Sequence, residues 1–145
     1  MTAAIAHFHT PPIPFLKWAG GKRQLLDQYQ PFFPDRIHRY YEPFLGGGAV
    51  FFHLRDRCEQ ATISDLNPEL INVYRCVRDD VEAVIAILRQ HQQHHCSDYY
   101  YAVRANHQMR SPIHRAARLI YLNKTCFNGL YRENLKGEFN TSMGR

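Results

Sequence analysis

The 145-residue sequence lacks several features that mark common classes of protein. Its four cysteines lie far apart and form no Cys-x-x-Cys pair, which argues against a zinc ribbon and against a disulfide-rich secreted domain. No apolar run approaches the roughly 18 residues of a membrane span, and residues 1–14 lack the basic start and apolar core of a secretory signal. We therefore expect a soluble, cytoplasmic protein without a metal or a membrane contact.

Charge and histidine content give weak indications of function. The 18 Lys and Arg against 13 Asp and Glu leave a net charge of +5, which favours an anionic partner without identifying it. His91, His94, His95 and Cys96 have near-helical spacing but no neighbouring carboxylate or second cysteine. We interpret this group as a solvated helix end rather than a metal site. No arrangement for nucleophilic catalysis can be assembled from spacing.

A glycine turn, Trp18-Ala-Gly-Gly-Lys22, follows a proline-rich lead-in. A glycine turn that leads into a helix presents backbone N–H groups, which suits an anion. A phosphate loop also requires a Ser or Thr after the lysine and an earlier glycine, but Arg23 follows Lys22. From these residues alone, a surface turn with a basic side chain is an equally good interpretation.

Two strand-turn-helix units come next. "HRYYEPF" runs through Gly46–Gly48 into an apolar helix, and "QATIS" runs through Asp65 into a helix that begins at Pro68. This order predicts an α/β structure with a parallel sheet. A glycine turn after one strand and an acid after the next are typical of sites for adenosine-containing cofactors. Phe51 replaces the third glycine of the dinucleotide fingerprint, which disfavours a nicotinamide cofactor. The alternative is an ordinary turn with Asp65 as a helix cap.

The remaining chain is predicted to be mainly helical as far as residue 126. Apolar spacing indicates helices in four segments: residues 22–30, 80–93, 97–108 with Ser97 as the cap, and 111–126 with Ala116, Ala117, Ile120 and Tyr121 on one side. The pairs Asn128-Gly129 and Lys136-Gly137 then predict turns and a hairpin. The basic, aromatic and amide side chains of this tail suit DNA, with Phe127 or Tyr131 stacking on bases. A solvated hairpin is the alternative.

Four segments resemble, in the same order, the Dam-like N6-adenine DNA methyltransferases: "FLKWAGGKRQLL", "YEPFLGGGAVFF", "SDLNPELIN" and "RAARLIYLNKTCFNGLYRENLKGEFNTSMGR". The resemblance covers about Pro14 to Arg145. It implies a Rossmann-like methyltransferase fold, S-adenosylmethionine as methyl donor, and double-stranded DNA with a short adenine-containing site, GATC by family expectation. It also implies a cofactor-binding part in residues 1–79 and a helical and hairpin target-recognition region in residues 80–145.

The resemblance assigns a role to individual residues. Trp18, Lys22, the Gly46 to Gly48 turn and Asp65 would contact the cofactor, with Lys22 on its carboxylate and Asp65 on its ribose. The expected DNA contacts are the recognition residues Phe127, Asn128, Leu130 and Arg132, together with the basic residues Lys17 and Arg145. Phe127 would act as a wedge that helps to open the duplex before base flipping.

The family's catalytic sequence, Asp-Pro-Pro-Tyr, does not occur in the 145 residues. In the family its aspartate and a proline carbonyl accept hydrogen bonds from adenine N6, and its tyrosine stacks on the ring. We therefore expect no catalytic residue in this chain and an incomplete sheet, as in an N-terminal part cut short. The open alternatives are a non-catalytic cofactor- and DNA-binding fragment, half of a split enzyme completed by a second polypeptide, and an inactive relic.

Overall fold

A computed structural model of the protein describes residues 12–145 as a mixture of helices and strands. The strands are β1 (Ile37–Glu42) and β2 (Cys58–Ile63), and the α-helices are α1 (Leu26–Tyr29), α2 (Ala49–Leu54), α3 (Pro68–Asp79), α4 (Val81–Gln93), α5 (Ser97–Ala105) and α6 (Pro112–Thr125). The predicted order of strands and helices is confirmed. The helix predicted at residues 22–30 is short, because 3-10 turns at Lys22–Leu25 and Gln30–Phe32 flank α1.

The two strands run parallel, as predicted, with Ile37 opposite Cys58 and Glu42 opposite Ile63. Beyond the strands, the Ser64 N–H donates to the Glu42 carbonyl at 2.9 Å. The carboxyl ends of both strands are therefore side by side, and the turns that follow them meet at one edge. The sheet formed by residues 12–145 has these two strands. This small parallel sheet agrees with the predicted α/β class but does not extend to a full Rossmann sheet.

Local capping explains where two helices begin. The Asn67 side chain accepts hydrogen bonds from the N–H groups of Glu69 and Leu70, both at 3.0 Å, so α3 begins at Pro68 as predicted. In α5, however, the cap is Cys96, whose sulfur accepts from the Tyr99 N–H. The prediction of Ser97 as the cap is wrong by one residue, because the extended backbone precedes Ser97 instead of including it.

The main hydrophobic core lies between α3, α4 and α6. Leu70 and Val73 of α3 are fully buried, as are Ala116 and Ala117 of α6. The two alanines allow the helix backbones to approach closely, and the predicted apolar side of α6 is therefore confirmed. This core takes residues from both sides of residue 80. The predicted division into a cofactor-binding part, residues 1–79, and a target-recognition region, residues 80–145, therefore remains a proposal about function.

A second hydrophobic cluster holds the final segment against α5 and α6. Tyr100, Leu122, Cys126 and Phe139 are all buried in it. The hairpin predicted in this segment is present as two isolated antiparallel bridges, Cys126 with Met143 and Glu133 with Phe139. Its two tight turns use left-handed backbone, at Asn128 (φ +54°) and Gly137 (φ +75°), as the Asn-Gly and Lys-Gly pairs predict.

The histidine group is not a fully solvated helix end. His91 is buried, stacks on Tyr121 with ring centroids 4.7 Å apart, and forms a hydrogen bond with the Tyr99 hydroxyl at 2.8 Å. That part of the prediction is wrong, since α5 and α6 cover the residue. Among residues 12–145, no three His, Cys, Asp or Glu side chains come together to hold a metal, and all four cysteines are free. No helix in this range is long and apolar enough to cross a membrane.

Candidate cofactor and DNA-binding site

A cavity of about 230 Å³ opens at the carboxyl ends of β1 and β2. Five of the predicted cofactor residues line it, namely Trp18, Lys22, Gly46, Gly47 and Asp65, together with Ala19, Gly20, Gly21, Phe44, Leu45 and Ala49. Gly48 is not part of this lining. Its α-carbon faces the protein interior, where an added Cβ would lie 2.8 Å from the Tyr74 hydroxyl.

Asp65 joins the Gly46–Gly48 turn to the start of α3. One carboxylate oxygen accepts from the Gly46 N–H at 2.9 Å, and the other accepts from the Asn67 N–H at 3.0 Å. The cap of α3 is Asn67, so the alternative interpretation of Asp65 as the cap is not supported. A carboxylate has about four lone-pair sites, so these two hydrogen bonds leave capacity for the hydroxyls of a ligand.

Lys22 is held by the protein at the edge of the cavity. Its ammonium donates to a Glu42 carboxylate oxygen at 2.9 Å and to the Phe44 carbonyl at 2.6 Å. Glu42 is buried and also accepts from the Tyr40 hydroxyl, and burial followed by this hydrogen bond raises the pKa of Tyr40 well above its usual value. One N–H of Lys22 remains for a ligand. Glu42 was not predicted as part of the site, although an acid at the end of a strand is a usable signal in the sequence.

Trp18 lies between the Gly46–Gly48 turn and the final segment of the chain. Its ring stacks on Tyr131, with centroids 4.8 Å apart and planes at 26°. On the other side, a Cβ at Gly46 would lie 3.1 Å from Trp18 Cδ1, and Gly46 has a positive φ of +54°. Glycine is thus required there. Tyr131 is covered by Trp18, which disfavours its predicted alternative role as a base-stacking residue.

The predicted recognition residues are on the surface. Phe127 is 54% exposed and Leu130 is 39% exposed, so both large apolar side chains are accessible to a partner. Asn128 and Arg132 are also exposed, and the Arg132 guanidinium donates to the Asn140 side chain at 2.7 Å. The Gly144 N–H donates to the Thr125 carbonyl at 2.8 Å, which keeps the exposed Arg145 near the end of α6.

Lys17, a predicted DNA contact that directly precedes Trp18 in the sequence, comes together with this segment. An added Cβ at Gly129 would lie only 2.4 Å from Lys17 Cδ, so the lysine side chain runs directly over the glycine. The peptide groups of Lys17 and Gly129 are both hydrogen bonded to Asn123, a buried residue that the sequence analysis did not single out. Its signal was an amide within the apolar segment "LIYLN".

The cavity's side chains fit an adenosine cofactor that carries an amino acid group. Asp65 offers acceptors for ribose hydroxyls, Lys22 offers a donor for a carboxylate, and Trp18 and the exposed Phe44 offer aromatic surface. The cavity is smaller than the roughly 300–1,000 Å³ of typical ligand sites. A second depression adjoins the cavity at Asp65, and Leu66 and Asn67 line it.

Comparison with known proteins identifies the class. Residues 18–145 match the D12 class N6 adenine-specific DNA methyltransferases, and the chain belongs to this family. It is 44% identical to the type II methyltransferase M1.LlaDCHI of Lactococcus lactis, over 91% of this chain and 48% of the relative. It is 40% identical to the DNA adenine methylase of Haemophilus influenzae, over 90% and 46%, and 37% identical to that of Escherichia coli K12, over 90% and 47%.

The chain spans about half the length of these curated relatives. The matched half contains the cavity, the glycine turn and the Phe127–Arg132 segment. The resemblance read from the four sequence segments is therefore confirmed at the level of the family.

Proposed function

We propose that this chain forms the cofactor-binding and DNA-reading part of an adenine-specific N6 DNA methyltransferase with a Rossmann-like fold. The observation that carries the proposal is the direct contact between the two predicted sites. Trp18 lines the cavity and stacks on Tyr131, which belongs to the predicted recognition segment, Phe127–Arg132. A methyl donor in the cavity and a duplex on this segment would thus be neighbours, which transfer between them requires.

S-adenosylmethionine is the proposed cofactor because its parts match the groups at the cavity. Its ribose would donate to Asp65, and its carboxylate would accept the remaining N–H of Lys22. It has no pyrophosphate, so it does not need the third glycine that Phe51 replaces. When bound, the cofactor supplies an activated methyl group on a sulfonium.

Double-stranded DNA with a short adenine-containing site is the proposed substrate, and GATC is the site to test first. Relatives at 37–40% identity are named DNA adenine methylases, which supports adenine as the target. The exposed Phe127 is suited to wedge between base pairs, while Asn128 and Arg132 carry groups that can read base edges. Lys17 and Arg145 would neutralise phosphates or contact bases beside them.

Methyl transfer requires acceptors around adenine N6, which the family places in its Asp-Pro-Pro-Tyr sequence. Because the 145 residues contain no such sequence, we propose that transfer needs a segment or second polypeptide that supplies it. The four free thiols fit a reducing compartment, and we propose the cytoplasm as the place of action.

The decisive experiment measures binding and transfer on the same sample of the 145-residue chain. Trp18 is the only tryptophan, so its fluorescence reports on the cavity during titration with S-adenosylmethionine, and calorimetry gives the affinity independently. NAD serves as the control ligand. We expect saturable binding of S-adenosylmethionine, no binding of NAD, and no transfer of labelled methyl to GATC duplex.

Two results would change the proposal. Methyl transfer by the chain alone would show that other residues perform the role of the missing motif. Absence of cofactor binding and of duplex binding would refute the proposed function of this chain, whatever its ancestry.

A further inference from the structure

Asn123 is a fully buried polar residue with no role in the proposed contacts to cofactor or DNA. It lies near the end of α6 with an exposed fraction of 0%, beside the buried apolar residue Leu122. Amide side chains are rarely buried so completely unless their hydrogen-bonding groups are satisfied. The partners of this amide therefore indicate what it does.

The amide binds the backbone of two segments that are far apart in the sequence. Its Oδ1 accepts from the Lys17 N–H at 2.9 Å, and its Nδ2 donates to the Lys17 carbonyl at 2.8 Å and to the Gly129 carbonyl at 3.2 Å. Both peptide groups of Lys17 are thus held by one planar side chain. This pairing defines the direction in which the Lys17 side chain leaves the backbone.

The hydrogen bond from Asn123 to Gly129 places the recognition loop, Phe127–Arg132, against Lys17. Since Gly129 has no Cβ, the Lys17 side chain can cross it, with Lys17 Cδ only 2.4 Å from where a Cβ would be. On the other side of Lys17, Trp18 stacks on Tyr131. The Lys17–Trp18 segment therefore meets the loop at two places. Lys17 crosses Gly129, and Trp18 stacks on Tyr131, and together these contacts determine how the two segments are aligned.

We propose that Asn123 is a positioning residue that aligns Lys17 with the recognition loop, Phe127–Arg132, and thereby sets how well the protein distinguishes its target duplex. The inference rests on the proposed function, because it takes Lys17 and the loop as DNA contacts. Reading of base edges depends on donors and acceptors held in fixed relative positions. Misalignment therefore weakens binding to the target more than binding to other sequences, which depends mainly on phosphates.

The test compares Asn123→Leu with the matched control Asn72→Leu in the full 145-residue chain. Asn72 also donates to a backbone carbonyl, that of Pro112 at 2.9 Å, and accepts from the Cys76 thiol, so its hydrogen bonds reach neither proposed binding segment. Dissociation constants are measured for a GATC duplex and for one with a single changed base pair, with S-adenosylmethionine present and at constant salt. We expect the affinity ratio to fall about fivefold or more in Asn123→Leu, as for loss of a base contact, and to be retained in Asn72→Leu.

Trp18 fluorescence gives a second readout that general destabilisation would not move in folded protein. Loss of the Asn123 bonds should alter the Trp18–Tyr131 stack and shift the emission of this single tryptophan, whereas Asn72→Leu should leave it unchanged. If Asn123→Leu does not fold, Asn123→Asp replaces it. That variant keeps the size and the acceptor for the Lys17 N–H but removes both donated bonds, so it should lower the ratio in the same direction.

The outcomes separate this inference from the proposed function. If the wild-type chain discriminates between the duplexes and both folded Asn123 variants discriminate equally well, the inference is wrong and the proposed function stands. If the wild-type chain binds the two duplexes equally, the DNA-reading function fails and the inference fails with it. A merely structural Asn123 would lower the yield of folded protein without changing the ratio.

Discussion

Helix α6 and strand β2 differ sharply in how much of their side-chain surface they bury. Seven of the 14 residues of α6 are buried, whereas each of the six residues of β2 is exposed or half-buried. Burial of apolar surface is the main source of stability, so the helical core of α3, α4 and α6 contributes most of it. The sheet edge, meaning β1, β2 and the turns after them, mainly brings the glycine turn and Asp65 together.

This difference separates stability from binding within one small structure. The cavity at the sheet edge is lined by polar and half-exposed groups that retain free hydrogen-bonding capacity. We therefore expect substitutions in the two regions to affect different measurements.

The largest effect on stability is expected in the helical core. Leu70→Ala removes a side chain with 0% exposure and leaves a cavity, so the free energy of unfolding should fall by about 2–5 kcal/mol. Urea denaturation followed by circular dichroism measures it. The control, Thr62→Ala in exposed β2, should change it by about 0.5 kcal/mol or less. Equal losses would show that the two regions share stability evenly.

A large effect on cofactor binding is expected at the sheet edge. Asp65→Ala removes the proposed ribose acceptor and both bonds that shape the turn, so affinity for S-adenosylmethionine should fall by at least about tenfold. Calorimetry measures this. Asp80→Ala, which also removes an aspartate bonded to a backbone N–H, should bind the cofactor normally. Nonspecific DNA binding should be nearly intact in both variants. An equal loss of cofactor binding and DNA binding in Asp65→Ala would instead indicate unfolding.

A smaller effect, on specificity alone, is expected in the recognition segment. Arg132→Ala or Asn128→Ala should reduce the preference for the target duplex by about 1–3 kcal/mol, because each removes groups suited to base edges. The cofactor affinity should not change. Arg78→Ala, at an exposed arginine on α3, is the matched control and should leave the preference intact. A variant of Arg132 with unchanged preference would contradict its assignment.

The smallest effect concerns pH and sharpens the description of the helical core. Burial, followed by the nearby charges of His114 and His94, lowers the pKa of His91 in the folded protein. The unfolded state, with an ordinary pKa of about 6.5, then binds more protons as the pH falls below that value, so stability decreases toward acid. Thermal unfolding of wild type and His91→Phe should show a weaker acid loss in the variant. An identical pH dependence would exclude His91 as a cause.

Much of the fold could be predicted because its signals are local. Apolar periodicity predicts α3, α4 and α6, and Pro68 marks the first residue of α3. The strand-turn-helix order predicts the parallel pairing of β1 with β2. Two local predictions were wrong. The cap of α5 is Cys96 instead of Ser97, because the extended backbone ends one residue earlier. His91 is buried instead of solvated, because α5 and α6 pack over it.

The candidate site was predicted in part for the same reason. Trp18, Lys22, Gly46 and Asp65 could be named from motifs, and the structure brings them to one cavity. Gly48 belongs to the same motif, but it faces Tyr74 instead, a residue on a different helix. The partners of Lys22 and Trp18 were not predicted. Glu42 offered a signal as an acid at the end of a strand, whereas Tyr131 carries no local signal for its contact with Trp18.

The sequence by itself determined the family, the order of strands and helices, and the residue types available for a cofactor and for DNA. Only the tertiary structure decided that Lys22 is held by Glu42, that Trp18 stacks on Tyr131, and that Asn123 joins Lys17 to Gly129. The physical reason is the range of the interactions. Turns, caps and helical periods depend on neighbours within a few residues, whereas these contacts exist only after the core has packed distant segments together.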